Sequence, residues 1–316
     1  MTGRIVLLCA LAALAAGVAP WLGAALDPDA AGFVITQLRL PRAVLGALVG
    51  ASLGLVGAVF QTLFDNPLAT PSTVGTTAGA SLGALVVLIL WPGPPLLGLP
   101  LVAVGAFAGA LLVTGGIAAL AATRRLGMGE LLLLGIAVSL GASAVSLGLQ
   151  VRADAAATFR AVRWSLGSLS TVGWTVPLGL LAPVLLGIVV LLLHGRALEA
   201  VAAGAEQAGA QGVDLRRLRA VTLGTGSLLV GVCVAAVGPL AFVGLLVPHV
   251  VRLVVGGGPR RLLPLSALVG AGLLPLADGL ARVGFPGQEL PVGVVTAAVG
   301  APALVALLVG RAMRRR

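Results

Sequence analysis

The chain of 316 residues is 59% hydrophobic and only 9% charged, and its net charge of +10 is carried wholly by arginine. So few charges cannot cover a soluble globular surface, and the arginines are not gathered on one polar face as nucleic-acid binding requires. The apolar runs are continuous rather than alternating in segments of about ten residues, which excludes a β-barrel and predicts an all-α membrane protein.

Residues 5–25 form the first apolar run, behind Arg4. A cleaved signal peptide is the competing reading. The run is long and nothing soluble follows it, so a first membrane helix is favoured. After a short segment at 26–38, LRLPR leads into a second run that ends at Leu63 with Gln61 inside it. FDNPLATP at 64–71 breaks the helix, because proline lacks a donor and restricts the residue before it. Further runs follow at 73–90, 99–121 and 130–150, separated by the turns Trp91-Pro92-Gly93-Pro94-Pro95 and Thr123-Arg124-Arg125-Leu126-Gly127-Met128-Gly129. Residues 151–173 are polar by the standards of this chain and suit an outside loop with a short surface helix. Runs at 174–193, 220–237, 240–255, 264–283 and 291–309 complete a count of ten spans in a single transmembrane domain covering residues 1–316. The 46 glycines fit that reading, since small residues let membrane helices approach closely.

Ten spans place both termini on one side. Fourteen of the twenty arginines then fall on that side and six on the other: Arg39, Arg42, Arg152, Arg160, Arg163 and Arg282. The positive-inside rule puts the termini in the cytoplasm. The six outer arginines run against the rule and call for an explanation.

The segment 194–219 interrupts the apolar pattern with Arg196, Glu199, Glu206, Asp214, Arg216, Arg217 and Arg219. A polar, helix-capable loop between two spans is what a transporter needs to meet a soluble engine. Its small residues, Ala203, Gly204, Gly209 and Gly212 among them, suit close packing into a cleft. Glu199 and Glu206 add charge.

Enzyme chemistry finds no support. There is no GxxxxGK[ST] phosphate loop, so ATP is not bound by that device. His194 and His249 have no neighbour at metal-ligand spacing, and Cys9 and Cys233 sit in apolar runs without a CxxC, so no metal site is expected. Asp278 lies inside the ninth run, where an ionisable group faces protein or water. Arg282 is one helical turn on and within pairing reach. A proton relay through Asp278 would make this a secondary transporter. Glu289 stands where it can cap the tenth helix. Arg39 and Arg42 flank Pro41 at the outer mouth of the second span. Snorkelling anchors and a basic patch for an acidic partner, with Arg282 as third member, are equally supported by the residues alone.

The stretch LRLPRAVLGALVGASLGLVGAVFQTLFDNPLATPSTVGTTAGASLGA resembles the opening of the FecCD/BtuC type of ABC import permease. GPLAFVGLLVPHVVRLVVGGGPRRLLPLSALVGAGLLPLADGLARV and ELPVGVVTAAVGAPALVALL resemble that family too. The likeness extends from about Leu38 to Leu308.

It implies a type II, BtuC-like importer permease of ten helices. The permease would pair with a second copy or a paralogue, with two ATPase subunits and with an extracytoplasmic substrate-binding protein, in contact with membrane lipid and with no nucleic acid. No cofactor would be bound by this chain; ATP and magnesium would belong to the partner subunit. The resemblance assigns ATPase coupling to two short helices in the 194–219 loop, binding-protein docking to Arg39, Arg42 and Arg282, and a cytoplasmic gate to Gly127, Met128 and Gly129. In the cobalamin transporter small hydroxyl residues occupy that gate turn, and Met128 departs from them.

The expected function is import of a ferric siderophore across the bacterial cytoplasmic membrane. Haem or cobalamin is the alternative cargo. The alternatives from other classes are a proton-coupled transporter and a non-transporting membrane protein. Uptake without ATP would identify the first, and failure of an ATPase to co-purify the second.

Overall fold

A computed structural model describes residues 2–23, 28–91, 101–122, 127–283 and 289–314. Asp27, the turn residues 92–95, residues 123–126 of the expected gate turn and Arg315 and Arg316 lie outside them. The described residues form fourteen α-helices and no strand. Helix α1 (Thr2–Val18) ends in a short 3-10 turn, Ala19–Trp21. Helix α2 (Pro28–Phe33) continues through a π-helical stretch, Val34–Arg39, into α3 (Leu40–Leu63). Then come α4 (Thr76–Leu90), α5 (Leu101–Ala122), α6 (Met128–Arg152), α7 (Ala155–Ser165) and α8 (Thr175–Leu193). Two short helices, α9 (Gly195–Ala202) and α10 (Ala205–Ala210), precede α11 (Leu215–Val237), α12 (Val243–Val255), α13 (Pro259–Val283) and α14 (Val292–Arg314).

Every one of the ten apolar runs is helical. Seven helices among the described residues are long and apolar enough to cross a membrane; Thr76–Leu90, Val243–Val255 and the apolar part of α14 are shorter. At 15 and 13 residues, α4 and α12 are only about 23 and 20 Å long, against the roughly 30 Å of a hydrocarbon core. By length and composition seven of the ten runs reach that span among the described residues, and the other three are shorter apolar helices.

Helix α3 is the centre of the bundle. Nearly every residue from Leu45 to Leu63 is buried, and α13 lies along it. The two helices meet backbone to backbone: a Cβ on Gly50 would collide with the carbonyl oxygen of Gly270, and one on Gly270 with that of Gly50. Gly83 and Gly105 make the same contact between α4 and α5. Dispersion is the main force available between helices in lipid, so glycine-to-glycine contact is what brings them close. Buried hydroxyls add a polar tie: Thr76 on α4 bonds Ser227 on α11 at 3.1 Å and Thr114 on α5 at 3.3 Å.

Helices α1, α5, α6 and α8 turn apolar side chains outward, among them Leu14, Leu112, Leu140 and Leu186. Helix α13 fixes the two ends of the molecule. Its first turn lies beside α9, where Leu263 packs near Gly195. About 23–29 Å further along, at the rise of an ideal helix, its last turns carry Asp278 and Arg282 beside the start of α3.

Candidate functional site

The 194–219 segment folds as two short helices, as the resemblance led us to expect. Helix α9 buries Gly195, Leu198 and Ala200, and α10 buries Ala208. The intervening Gly204 has φ +133°, and Gly212 after α10 has φ +78°. Side chains with a Cβ rarely adopt these values, so glycine is the residue that permits the two reversals. Asp214 caps α11 by accepting from the backbone N–H groups of Arg216 and Arg217 at 2.9 and 3.1 Å. Helix α11 therefore begins at Leu215, five residues earlier than the apolar pattern suggested. Glu199, Ala203, Glu206, Gly209 and Gly212 are exposed and Gly204 is half-buried, so the candidate coupling residues are accessible.

At the other end, Arg39, Arg42 and Arg282 cluster. Arg42 Nε lies 2.7 Å from Asp278 Oδ2, and Arg42 Nη1 donates to Glu289 Oε2 at 2.7 Å. Arg282 Nε lies 3.5 Å from the same Asp278 oxygen, and Arg282 Nη2 donates to the carbonyl of Ala19 at 2.7 Å. The anticipated pairing of Arg282 with Asp278 is present. The dominant partner of Asp278 is Arg42, which comes from a different helix.

Glu289 is not the helix cap expected of it. Its carboxylate reaches Arg42, and the backbone N–H of Leu290 bonds the carbonyl of Ala281 at 3.4 Å, which fastens this strand of chain to the end of α13. The side chains of Asp278, Arg282 and Arg42 are 2%, 6% and 10% exposed, and that of Glu289 is 56% exposed. The half-buried Arg39 lies over Gly23, where a Cβ would stand 2.9 Å from its Nη2.

The π-helical stretch before α3 is tied down from outside. Gly173 N–H donates to the carbonyl of Gln37 at 2.7 Å, and Trp174 Nε1 to that of Thr36 at 3.1 Å. These bonds hold Arg39 and Arg42 in register with the start of α8. The polar 151–173 segment itself holds a surface helix, α7, capped by Asp154 through the Ala157 N–H at 2.6 Å.

At the gate turn, Gly127 precedes α6 and its N–H donates to the Glu130 carboxylate at 2.6 Å. Met128 opens the helix, and Gly127 and Gly129 are exposed.

One pairing went unforeseen. Gln61, 2% exposed, accepts from Arg252 Nη1 at 2.5 Å and so links α3 to α12. A lone amide in an otherwise apolar run was the available signal. The nearby His249 is 3% exposed within α12.

A family model described as the FecCD transport family matches residues 5–310. The chain is 40% identical over 288 residues to the cobalamin import system permease protein BtuC of Halobacterium salinarum, covering 91% of this chain and 76% of that one. It is 38% identical over 307 residues to the Fe(3+) dicitrate transport system permease protein FecD of Escherichia coli, covering 95% and 94%. Among solved structures, an inward-facing ABC transporter assigned to the metal-chelate type superposes with a TM-score of 0.84 at 30% identity, over 97% of this chain and 98% of that one.

Proposed function

The chain belongs to the FecCD transport family and is a membrane permease subunit of an ABC importer, and on that premise we propose that it moves a ferric siderophore across a bacterial cytoplasmic membrane. ATP hydrolysis lies on a separate subunit, and a binding protein delivers the cargo. ATP and magnesium belong to that ATPase subunit. A second permease, identical or paralogous, completes the pore. The ferric cargo is favoured by the match to a ferric dicitrate permease along almost the whole length of both chains. Cobalamin is the second reading, favoured by a relative of 40% identity that bears that name.

One observation carries the mechanism: α9, joined to α10, packs against the first turns of α13, and α13 runs as one helix to the arginine cluster at the opposite end. The coupling loop faces the cytoplasm in this reading, as do both termini, and the cluster faces outward. Two of the six arginines that breach the positive-inside rule are then accounted for, because Arg42 and Arg282 are neutralised by Asp278 and Glu289. Closure of the ATPases on nucleotide pushes α9 and α10, α13 shifts with them, and its glycine contact with α3 passes the shift to the helices around the path. Arg39, Arg42 and Arg282 receive acidic groups of the binding protein, where guanidinium–carboxylate geometry gives a specific yet reversible contact. Gly127, Met128 and Gly129 close the inner mouth.

Reconstitution with the ATPase and binding protein tests this. Labelled ferric siderophore should enter proteoliposomes only with ATP. Uptake of labelled cobalamin alone would shift the assignment to the second cargo.

A further inference from the structure

We propose that Glu289 is a displaceable latch on Arg42, holding that arginine neutralised until a carboxylate of the binding protein replaces it, while Asp278 is the fixed positioning residue that aims Arg42 and Arg282. The inference rests on the docking reading of Arg39, Arg42 and Arg282.

The two acids differ in the ways the two roles require. Asp278 is all but sealed from solvent. Its Oδ2 lies between Arg42 Nε and Arg282 Nε, so one oxygen fixes two guanidiniums from two helices. Removing it would strand buried cations, and a displaceable group cannot be held on those terms. Glu289 has more than half of its side chain in solvent and touches the cluster through a single charge-assisted bond to Arg42 Nη1. An exposed pair of that kind contributes little net stability, because water and salt screen it and the side chain loses freedom to make it. It therefore opens readily.

The charge balance points the same way. The guanidiniums of Arg42 and Arg282 are matched by the carboxylates of Asp278 and Glu289 while Glu289 is seated, and Arg39 beside them is a third guanidinium. When it swings out, Arg42 presents a donor-bearing edge to the surface, and Arg42, Arg282 and Asp278 together are left with one net positive charge. The incoming group must then be an acidic side chain, which restores the cancellation. Inside the cluster, Arg282 Nη1 and Asp278 Oδ1 are buried without a hydrogen-bond partner, and Arg42 Nε, though in ion-pair contact with Asp278, makes no well-directed hydrogen bond. The arrangement is thus not at its bonding limit and can shift to accept one more group.

Glu289→Gln keeps the shape and removes the competing charge. The first arm labels the membrane-embedded full-length chain with phenylglyoxal, an arginine-selective reagent, and reads Arg42 by peptide mass. Labelling should be faster in Glu289→Gln than in wild type, and equal rates would overturn the latch whatever the docking site does. In the second arm the reconstituted permease–ATPase complex is titrated with its co-purified binding protein at low and high ionic strength. Glu289→Gln should bind up to about fivefold more tightly at low ionic strength, the range expected for one exposed pair. Unchanged or weaker binding contradicts the latch, since a merely structural residue does not improve affinity when neutralised. Arg42→Glu separates the two levels of the claim. If it binds as wild type does, the docking reading itself fails; if it loses binding while Glu289→Gln is neutral, only the latch fails. Asp278→Asn should weaken binding, and because it is buried, the exposed Glu289 variant carries the decision.

Discussion

Arg42 at the start of α3 and Asp278 near the end of α13 meet at 2.7 Å, with both side chains almost wholly withdrawn from solvent. The pair stitches together the ends of the two helices that also share the glycine contact at Gly50 and Gly270.

Removing Arg42 leaves the buried Asp278 only its longer contact with Arg282 at 3.5 Å. Arg42→Met is expected to lose about 3–5 kcal/mol, seen as a lower thermal unfolding midpoint in detergent. The double variant Arg42→Met, Asp278→Leu should lose less than the two single changes combined, giving a coupling energy of about 0.5–3 kcal/mol in a mutant cycle. Strict additivity would mean that the contact is energetically idle.

Gly50 has no room for a methyl group. Gly50→Ala is expected to force α3 and α13 apart and cost about 1–3 kcal/mol as an overpacking change. Gly141 on α6 has nothing within 4 Å of an added Cβ. Gly141→Ala should be neutral or slightly stabilising, by up to about 1 kcal/mol from helix propensity. Equal thermal midpoints for the two variants would contradict the packing account.

On the coupling face, Glu199 and Glu206 are exposed and Leu198 is fully buried. Reversing both acids to arginine should leave the thermal midpoint unchanged while transport per ATP hydrolysed falls at least several-fold. Leu198→Ala should instead cost about 2–5 kcal/mol as a cavity change.

At the docking end, the double reversal Arg39→Glu, Arg42→Glu should abolish binding-protein-stimulated transport while permease dimers still assemble. Arg42 also holds Asp278, so Arg39→Glu alone is the cleaner measurement. It should weaken binding-protein affinity with little change in thermal midpoint.

Much of this architecture is legible in the sequence, because membrane helices announce themselves as apolar runs and the polar 194–219 insert stands out against them. Boundaries were harder to read. Helix α13 begins at Pro259 rather than near 264, since Arg260 and Arg261 break the apolar pattern without breaking the helix. Asp214 shows how a cap sets the true start of α11 where hydropathy marks a later one. The arginine cluster was half visible. Spacing of one turn suggested Arg282 with Asp278, but nothing local could bring Arg42 to the same carboxylate or Glu289 to Arg42. That meeting depends on how α3 and α13 cross, which the glycines dictate only once the two helices are known to be neighbours. The Gln61–Arg252 link was missed for the same reason.

The most direct test of the central claim is uptake and hydrolysis measured together in proteoliposomes holding the permease, its ATPase and its binding protein, with Glu199→Arg, Glu206→Arg compared with wild type. Predicted are ATP-dependent uptake in the wild type, unaffected by collapse of the proton gradient, and hydrolysis without uptake in the variant. Uptake driven by a proton gradient with ATP absent, or full coupling in the variant, would contradict the account.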